Sequence, residues 1–121
     1  MDYKSYESVN SNLQNGVSYV VLKMSFGRRV ELTKQIRELA ARREFLEAGD
    51  HPGEKMDAAL IASEIDRIYL LWGLKEIRGL ELDGLPATPE LLAECGPEDL
   101  FREALAAVKQ QCGLSEAERK N

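Results

Sequence analysis

One histidine, two cysteines and a few close pairs of carboxylates are the side chains in this 121-residue sequence whose types could do chemistry. His51 stands in the turn-forming run Gly49-Asp50-His51-Pro52-Gly53. A general base or a zinc ligand needs partners at short, fixed range, and Cys95 and Cys112 lie 44 and 61 positions further on. Neither CxxC nor HxxxH spacing occurs, so His51 is expected to be an exposed loop residue and no metal is expected. The segment SFGRRV has a single glycine after a strand-like run. It falls short of the GxGxxG or GxxxxGK patterns whose backbone amides cradle phosphate. The acidic pairs Glu81 with Asp83, Glu98 with Asp99 and Glu116 with Glu118 sit at turns or helix starts, where carboxylates complement the helix dipole or stay solvated. Acid–base catalysis needs two unequal, partly buried environments instead. No catalytic residue and no cofactor are therefore expected, and an enzyme is the weakest class.

Charge gives the next class to weigh. The formal net charge is -5 and the pI near 5.0, which repels phosphate backbones unless the basic residues are segregated onto one face. Arg28, Arg29, Lys34, Arg37, Arg42 and Arg43 are the best case for such a face. At 100° per residue they point in nearly all directions, with Glu31, Glu38, Glu44 and Glu47 interleaved. A groove-reading helix needs its contacts on one side, so a salt-bridged, solvated surface is expected rather than nucleic-acid binding. Residues 76–121 hold ten acids against five basic residues, an acidic surface that could face a partner.

The elements that must position these groups follow from periodicity. Composition is 44% hydrophobic and 31% charged, ordinary for a globular protein and too apolar for a disordered one. Residues 1–16, rich in Ser and Asn and ending in Asn15-Gly16, read as a flexible arm or an edge that orders late. Val17 to Phe26 reads as one strand. Leu32, Ile36, Leu39 and Leu46 then form one stripe of a helix running from Arg28 to about Ala48. A second helix from about Glu54 carries Ile61, Ile65, Ile68 and Trp72, with the all-round apolar run IYLLWGL expected at the centre of the core. The short connection predicts antiparallel packing of this pair, and Gly73 points to close packing or an early bend. Asp83-Gly84 predicts a small β-hairpin over Gly79 to Ala87. Thr88-Pro89 opens a short helix to about Cys95. A last helix follows Gly96-Pro97, with Phe101, Ala104, Leu105, Val108 and Cys112 on one side and Gly113 at its end. Ser115 to Glu118 fits a capping box with almost no helix behind it, so residues 114–121 read as a frayed tail. The expected fold is mainly α with minor β: a helical pair, a small hairpin, C-terminal helices and one N-terminal strand, forming a single helical domain over residues 17–113.

The first residues, MDYKSYESVN, show neither a basic n-region nor an apolar h-region, so no secretory signal is expected. No apolar run approaches the roughly 20 residues of a bilayer span. Two thiols without a signal read as reduced, with a disulfide as the less favoured alternative, and a cytosolic protein is expected.

The run LLWGLKEIRGLELDGLPATPELL, the helix after it and the ending GLSEAERKN resemble the tail assembly chaperones of long-tailed bacteriophages and prophages. Those proteins often show a Trp-bearing helix, a short G-x-x-x-x-G-x-P-x-T hairpin and a terminal L-S-x-x-E-x-K-N. The matching residues are Trp72; Gly79, Gly84, Pro86 and Thr88; and Leu114, Ser115, Glu118, Lys120 and Asn121. The resemblance covers roughly the C-terminal 50 residues. It implies a chaperone in the host bacterial cytoplasm that binds the tape-measure protein, recruits major tail protein subunits and is absent from the mature virion. It also implies a longer product made by ribosomal frameshifting, which the truncated capping box and a Lys-Asn ending compatible with the slippery pair AAA-AAC would suit. Helix-in-groove binding is the expected mode, with Tyr69, Trp72, Phe101 and Leu105 as the expected partner-binding residues. A homo-oligomer is left open. Two rivals stand beside this reading: a structural head–tail connector or minor tail protein, and a small DNA-binding regulator.

Overall fold

The computed structural model describes residues 1–113, of which 58% are helical and 17% are in strands, a mainly α fold with a small antiparallel sheet. The chain divides into two compact units: residues 1–24 with residues 70 onward, and residues 25–69. The Ser115–Glu118 capping box and the Lys120-Asn121 ending lie outside the described residues.

The first unit is built on a three-stranded antiparallel sheet in the order β1 (Tyr6–Asn10), β2 (Ser18–Leu22), β3 (Leu74–Arg78). Two of these strands differ from the expectation. Residues 6–10 are not part of a flexible arm but an edge strand, pairing Tyr6 with Leu22 through Asn10 with Ser18. Residues 74–78, which no strand signal marks in the sequence, form β3. The second helix stops at Gly73, where an added Cβ would collide with the fully buried Val108 side chain. Close packing and a change of direction therefore coincide at one glycine.

The apolar residues of LKEIR, Leu74 and Ile77, are three apart. In a regular strand that spacing would put them on opposite faces. The register shows how they share one: Val20 pairs with Glu76 but Val21 pairs with Leu74, so Lys75 is an extra residue on β3. This bulge returns Leu74 to the side of Ile77. Tyr19, Val21, Leu74 and Ile77, all buried, thereby line one face of the sheet.

Helix α4 (Glu98–Gln111) packs on β2 and β3, and α3 (Pro89–Cys95) packs on β3 and α4. The α4 stripe is Leu100, Ala104, Leu105, Val108 and Cys112. Leu100 takes the place expected of Phe101, which is half-buried. Thr88 caps α3, its hydroxyl accepting from the Leu91 amide at 3.1 Å, and Gly113 ends α4 at φ +77°. Between sheet and helices, β4 (Glu81–Leu82) and β5 (Leu85–Pro86) form the hairpin that Asp83-Gly84 predicts, with positive φ at both turn residues. Sixteen apolar residues of this unit are buried, including Leu70, Trp72 and Leu74 from the IYLLWGL run.

The second unit holds α1 (Phe26–Glu47) and α2 (Pro52–Gly73) as far as Tyr69, joined by residues 48–51. Ser25 caps α1 through the Arg28 amide. The predicted stripes are the ones that lose exposure: Leu32, Ile61 and Ile65 are buried, as is Ala58, while Ile36, Leu39, Leu46 and Ile68 are half-buried.

Candidate functional site: an apolar helical surface and a carboxylate clasp

The second unit has an inverted distribution of apolar side chains. Between residues 25 and 69 only Leu32, Ala58, Ile61 and Ile65 are buried, while Phe26, Val30, Phe45, Met56 and Leu60 are exposed. Phe26 is 87% exposed, Phe45 75% and Met56 74%, against a norm in which large aromatics turn inward. On α1 the exposed residues fall outside the Leu32–Ile36–Leu39–Leu46 stripe, and on α2 Met56 and Leu60 fall outside the Ile61–Ile65–Ile68 stripe. Each helix therefore offers apolar surface beyond the stripe it buries. Phe45, Met56 and Leu60 lie in the segments either side of the 48–51 connection, and Phe26 and Val30 open α1.

The four residues expected to bind a partner lie outside this exposed set. Trp72 and Leu105 belong to the core of the first unit, 9% and 4% exposed. Phe101 is half-buried beside its neighbour Arg102, whose guanidinium lies 5.7 Å from the ring centroid. Tyr69 is half-buried at the end of the second unit. The Trp-bearing run is apolar all round because it is core. The signal for the exposed set was present in the sequence as large apolar residues off the helical stripes.

The groups with potential for chemistry are dispersed. His51 is exposed in the 48–51 connection, where its carbonyl accepts from the amides of Glu54 and Lys55. Cys95 is exposed and Cys112 buried, both as free thiols. Among the described residues no group of three His, Cys, Asp or Glu is placed to hold a metal ion, and no helix is long and apolar enough to cross a membrane. On α1, Arg43 pairs with Glu47 at 2.9 Å, an instance of the interleaved charge read from the sequence.

One polar cluster was not legible beforehand. The Glu103 carboxylate of α4 accepts from Ser11 Oγ, from Tyr19 Oη at 2.8 Å and from the Asn12 amide at 2.8 Å. Ser11 in turn accepts from the amides of Leu13 and Gln14, which folds the connection between β1 and β2. Eighty-four or more residues separate Glu103 from these partners, so no local pattern announces it. Burial alone would raise the Glu103 pKa, but the donated hydrogen bonds from Ser11, Tyr19 and the backbone outweigh it and hold the carboxyl below its ordinary value. Burial, the bond to Glu103 and the nearby negative charges of Glu103 and Asp99 push the Tyr19 phenol far above its usual range.

The sign of the pH dependence follows. A carboxyl with a lowered pKa in the folded state contributes stability that is fully present above its unfolded value, near 4.5, and is lost as pH falls through the folded value. Glu103→Gln is therefore expected to flatten the acid limb of stability. Between about pH 5 and pH 3 the wild type should lose more than the variant, by on the order of 1 kcal/mol after allowing for solvent screening. Urea unfolding followed through Trp72, the single tryptophan, measures it, and parallel pH profiles would remove Glu103 from the account.

Comparison of the chain with protein-family models, curated proteins and solved structures returns no match.

Proposed function

We propose that this protein is a tail assembly chaperone of a long-tailed bacteriophage or prophage, holding the tape-measure protein before the tail tube forms around it. The observation that carries the reading is the exposed set Phe26, Val30, Phe45, Met56 and Leu60 on a helical unit that buries fewer apolar side chains than it exposes. Helices of this kind draw most of their stability from packing rather than from intrinsic propensity, so a further helix laid on that surface suits them. A tape-measure protein is long and helical, and its apolar stripes need cover until assembly; docking one stripe against α1 and α2 is helix-in-groove recognition. The Trp72, Gly79, Gly84, Pro86 and Thr88 pattern supports the same reading, and the structure assigns these residues to the scaffold: Trp72 to the core, Gly84 and Pro86 to the β4–β5 hairpin and Thr88 to a helix cap. The chaperone acts by reversible cover alone, with no bond made or broken.

Co-expression with a tape-measure protein, which the proposal expects to be encoded beside this chain, tests it. The wild type is expected to raise the client's soluble yield and to co-purify with it. The triple variant Phe45→Ser, Met56→Ser, Leu60→Ser is expected to lose at least about tenfold in recovered complex, since exposed anchors of a helix-binding surface contribute roughly 1–2 kcal/mol each. Its unfolding midpoint, read through Trp72, should stay close to that of the wild type. A client equally soluble with either protein, or insoluble with both, would remove the proposal.

A further inference from the structure

We infer that residues 1–16 form a releasable strap, in which β1 and the connection after it detach from β2 as one unit while the rest of the fold stays intact, with the Glu103 carboxylate as the clasp. Three observations converge. First, β1 buries almost nothing: Tyr6, Glu7, Ser8 and Asn10 are exposed and Val9 is half-buried. Its neighbour β2 holds Tyr19, Val20 and Val21 at 0%, 2% and 0% exposure. The strand is thus secured without the apolar burial that gives β2 its place in the core. Second, it is an edge, its backbone ladder shared with β2 alone. Third, polar contacts fasten it to α4. Glu103 grips Ser11 and Asn12 just past the end of the strand, and Gln111 Nε2 donates to the Glu7 carboxylate within it.

Segments with few buried apolar contacts and exposed backbone hydrogen bonds open at the low end of a protein's stability scale. The Glu103 and Gln111 fastenings are unequal. Glu103 receives three donors, two of them from the strap itself, whereas the Gln111–Glu7 bond is a single exposed contact. The clasp also holds Tyr19, which stays in the core when the strap leaves, so the carboxylate keeps one partner in the open state. Opening uncovers the outer backbone edge of β2, which the closed strap shields from pairing with another chain.

Native-state hydrogen exchange on the full chain tests this. In the wild type, residues 5–12 are expected to exchange at least about tenfold faster than β3 and α4 under conditions far from unfolding. Glu103→Ala should accelerate residues 5–12 by a further factor of about ten, the loss of charge-assisted bonds worth roughly 1.4 kcal/mol, and keep them well ahead of β3 and α4, whose slowest amides also accelerate because global unfolding breaks these bonds and the Tyr19 bond as well. Ser11→Ala should accelerate the same residues by a smaller factor, and it decides the matter if Glu103→Ala does not fold. Exchange of residues 5–12 in step with β3 and α4 in the wild type overturns the inference. So does a Glu103→Ala variant that leaves residues 5–12 unchanged.

Discussion

Alanine at position 79 is expected to cost about 2–4 kcal/mol, through two independent faults. Gly79 adopts φ +81°, a conformation that side chains rarely take, and an added Cβ there would collide with the carbonyl oxygen of Gly16. The obstacle is backbone, so no rotamer change relieves it; either the β3–β4 connection or the end of the β1–β2 connection must move. Ser18 pairs with Arg78 beside this contact, so the disturbance reaches the first rungs of the sheet. Chemical unfolding read at Trp72 should show the loss as a lower midpoint with an unchanged slope. Gly84 serves as the control. It also has positive φ, +81°, but open space around its Cβ direction, so Gly84→Ala should cost only the conformational part, about 1 kcal/mol. Equal losses at the two glycines would show that the close approach to Gly16 contributes nothing.

Tyr19→Ala is expected to cost about 3–5 kcal/mol. Tyr19 is fully buried at the centre of the sheet face that α4 covers, and its hydroxyl donates to Glu103. Truncation opens a cavity between β2 and α4 and removes one of the donors that hold the carboxylate. Tyr19→Phe separates the two effects: it keeps the ring and loses the hydrogen bond, for an expected cost of about 1 kcal/mol. It should also remove the weakening above pH 10 that a raised phenol pKa brings. The folded state resists ionisation there, so stability is present below the ordinary tyrosine value and falls as pH rises past it. A Phe variant as damaged as the Ala variant would mean that the hydroxyl, rather than the packing, carries the site.

The helices of this protein are well marked in its sequence because their signals are local. The cap at Thr88, the stripes of α1 and α2, the Asp83-Gly84 turn and the glycine after α4 all lie within a few residues of what they control; the Ser25 cap, by contrast, follows directly on residues that read as strand. The sheet is poorly marked because its signals are not. β1 buries too little to look like a strand, and its partner β2 is what fixes it. In β3 the Lys75 bulge places Leu74 and Ile77 on one face at a spacing of three, which mimics a helix when read without the neighbouring strand. Glu103 looks like any surface glutamate of a helix until Ser11 and Tyr19 are brought to it from the other end of the chain.

The exposed apolar set was legible only in part, for a related reason. The aromatic-rich run around Trp72 attracts notice, yet density of apolar residues marks the core, and Trp72 and Leu105 lie in it. What marks a candidate interface is apolar residues out of phase with a stripe that is already sufficient. Phe45 sits beside Leu46, and Leu60 beside Ile61; in each pair the second residue lies on the stripe, and the first is left for something outside the chain.

The account depends on α1 and α2 using that outward surface to hold a helical client. Hydrogen exchange of the protein with and without its co-expressed tape-measure protein measures this most directly. The account predicts added protection concentrated between Phe26 and Leu60, including the segments that carry Phe45 and Met56, with the sheet and α4 little changed. Protection over the sheet or α4 with none between residues 26 and 60 would contradict it.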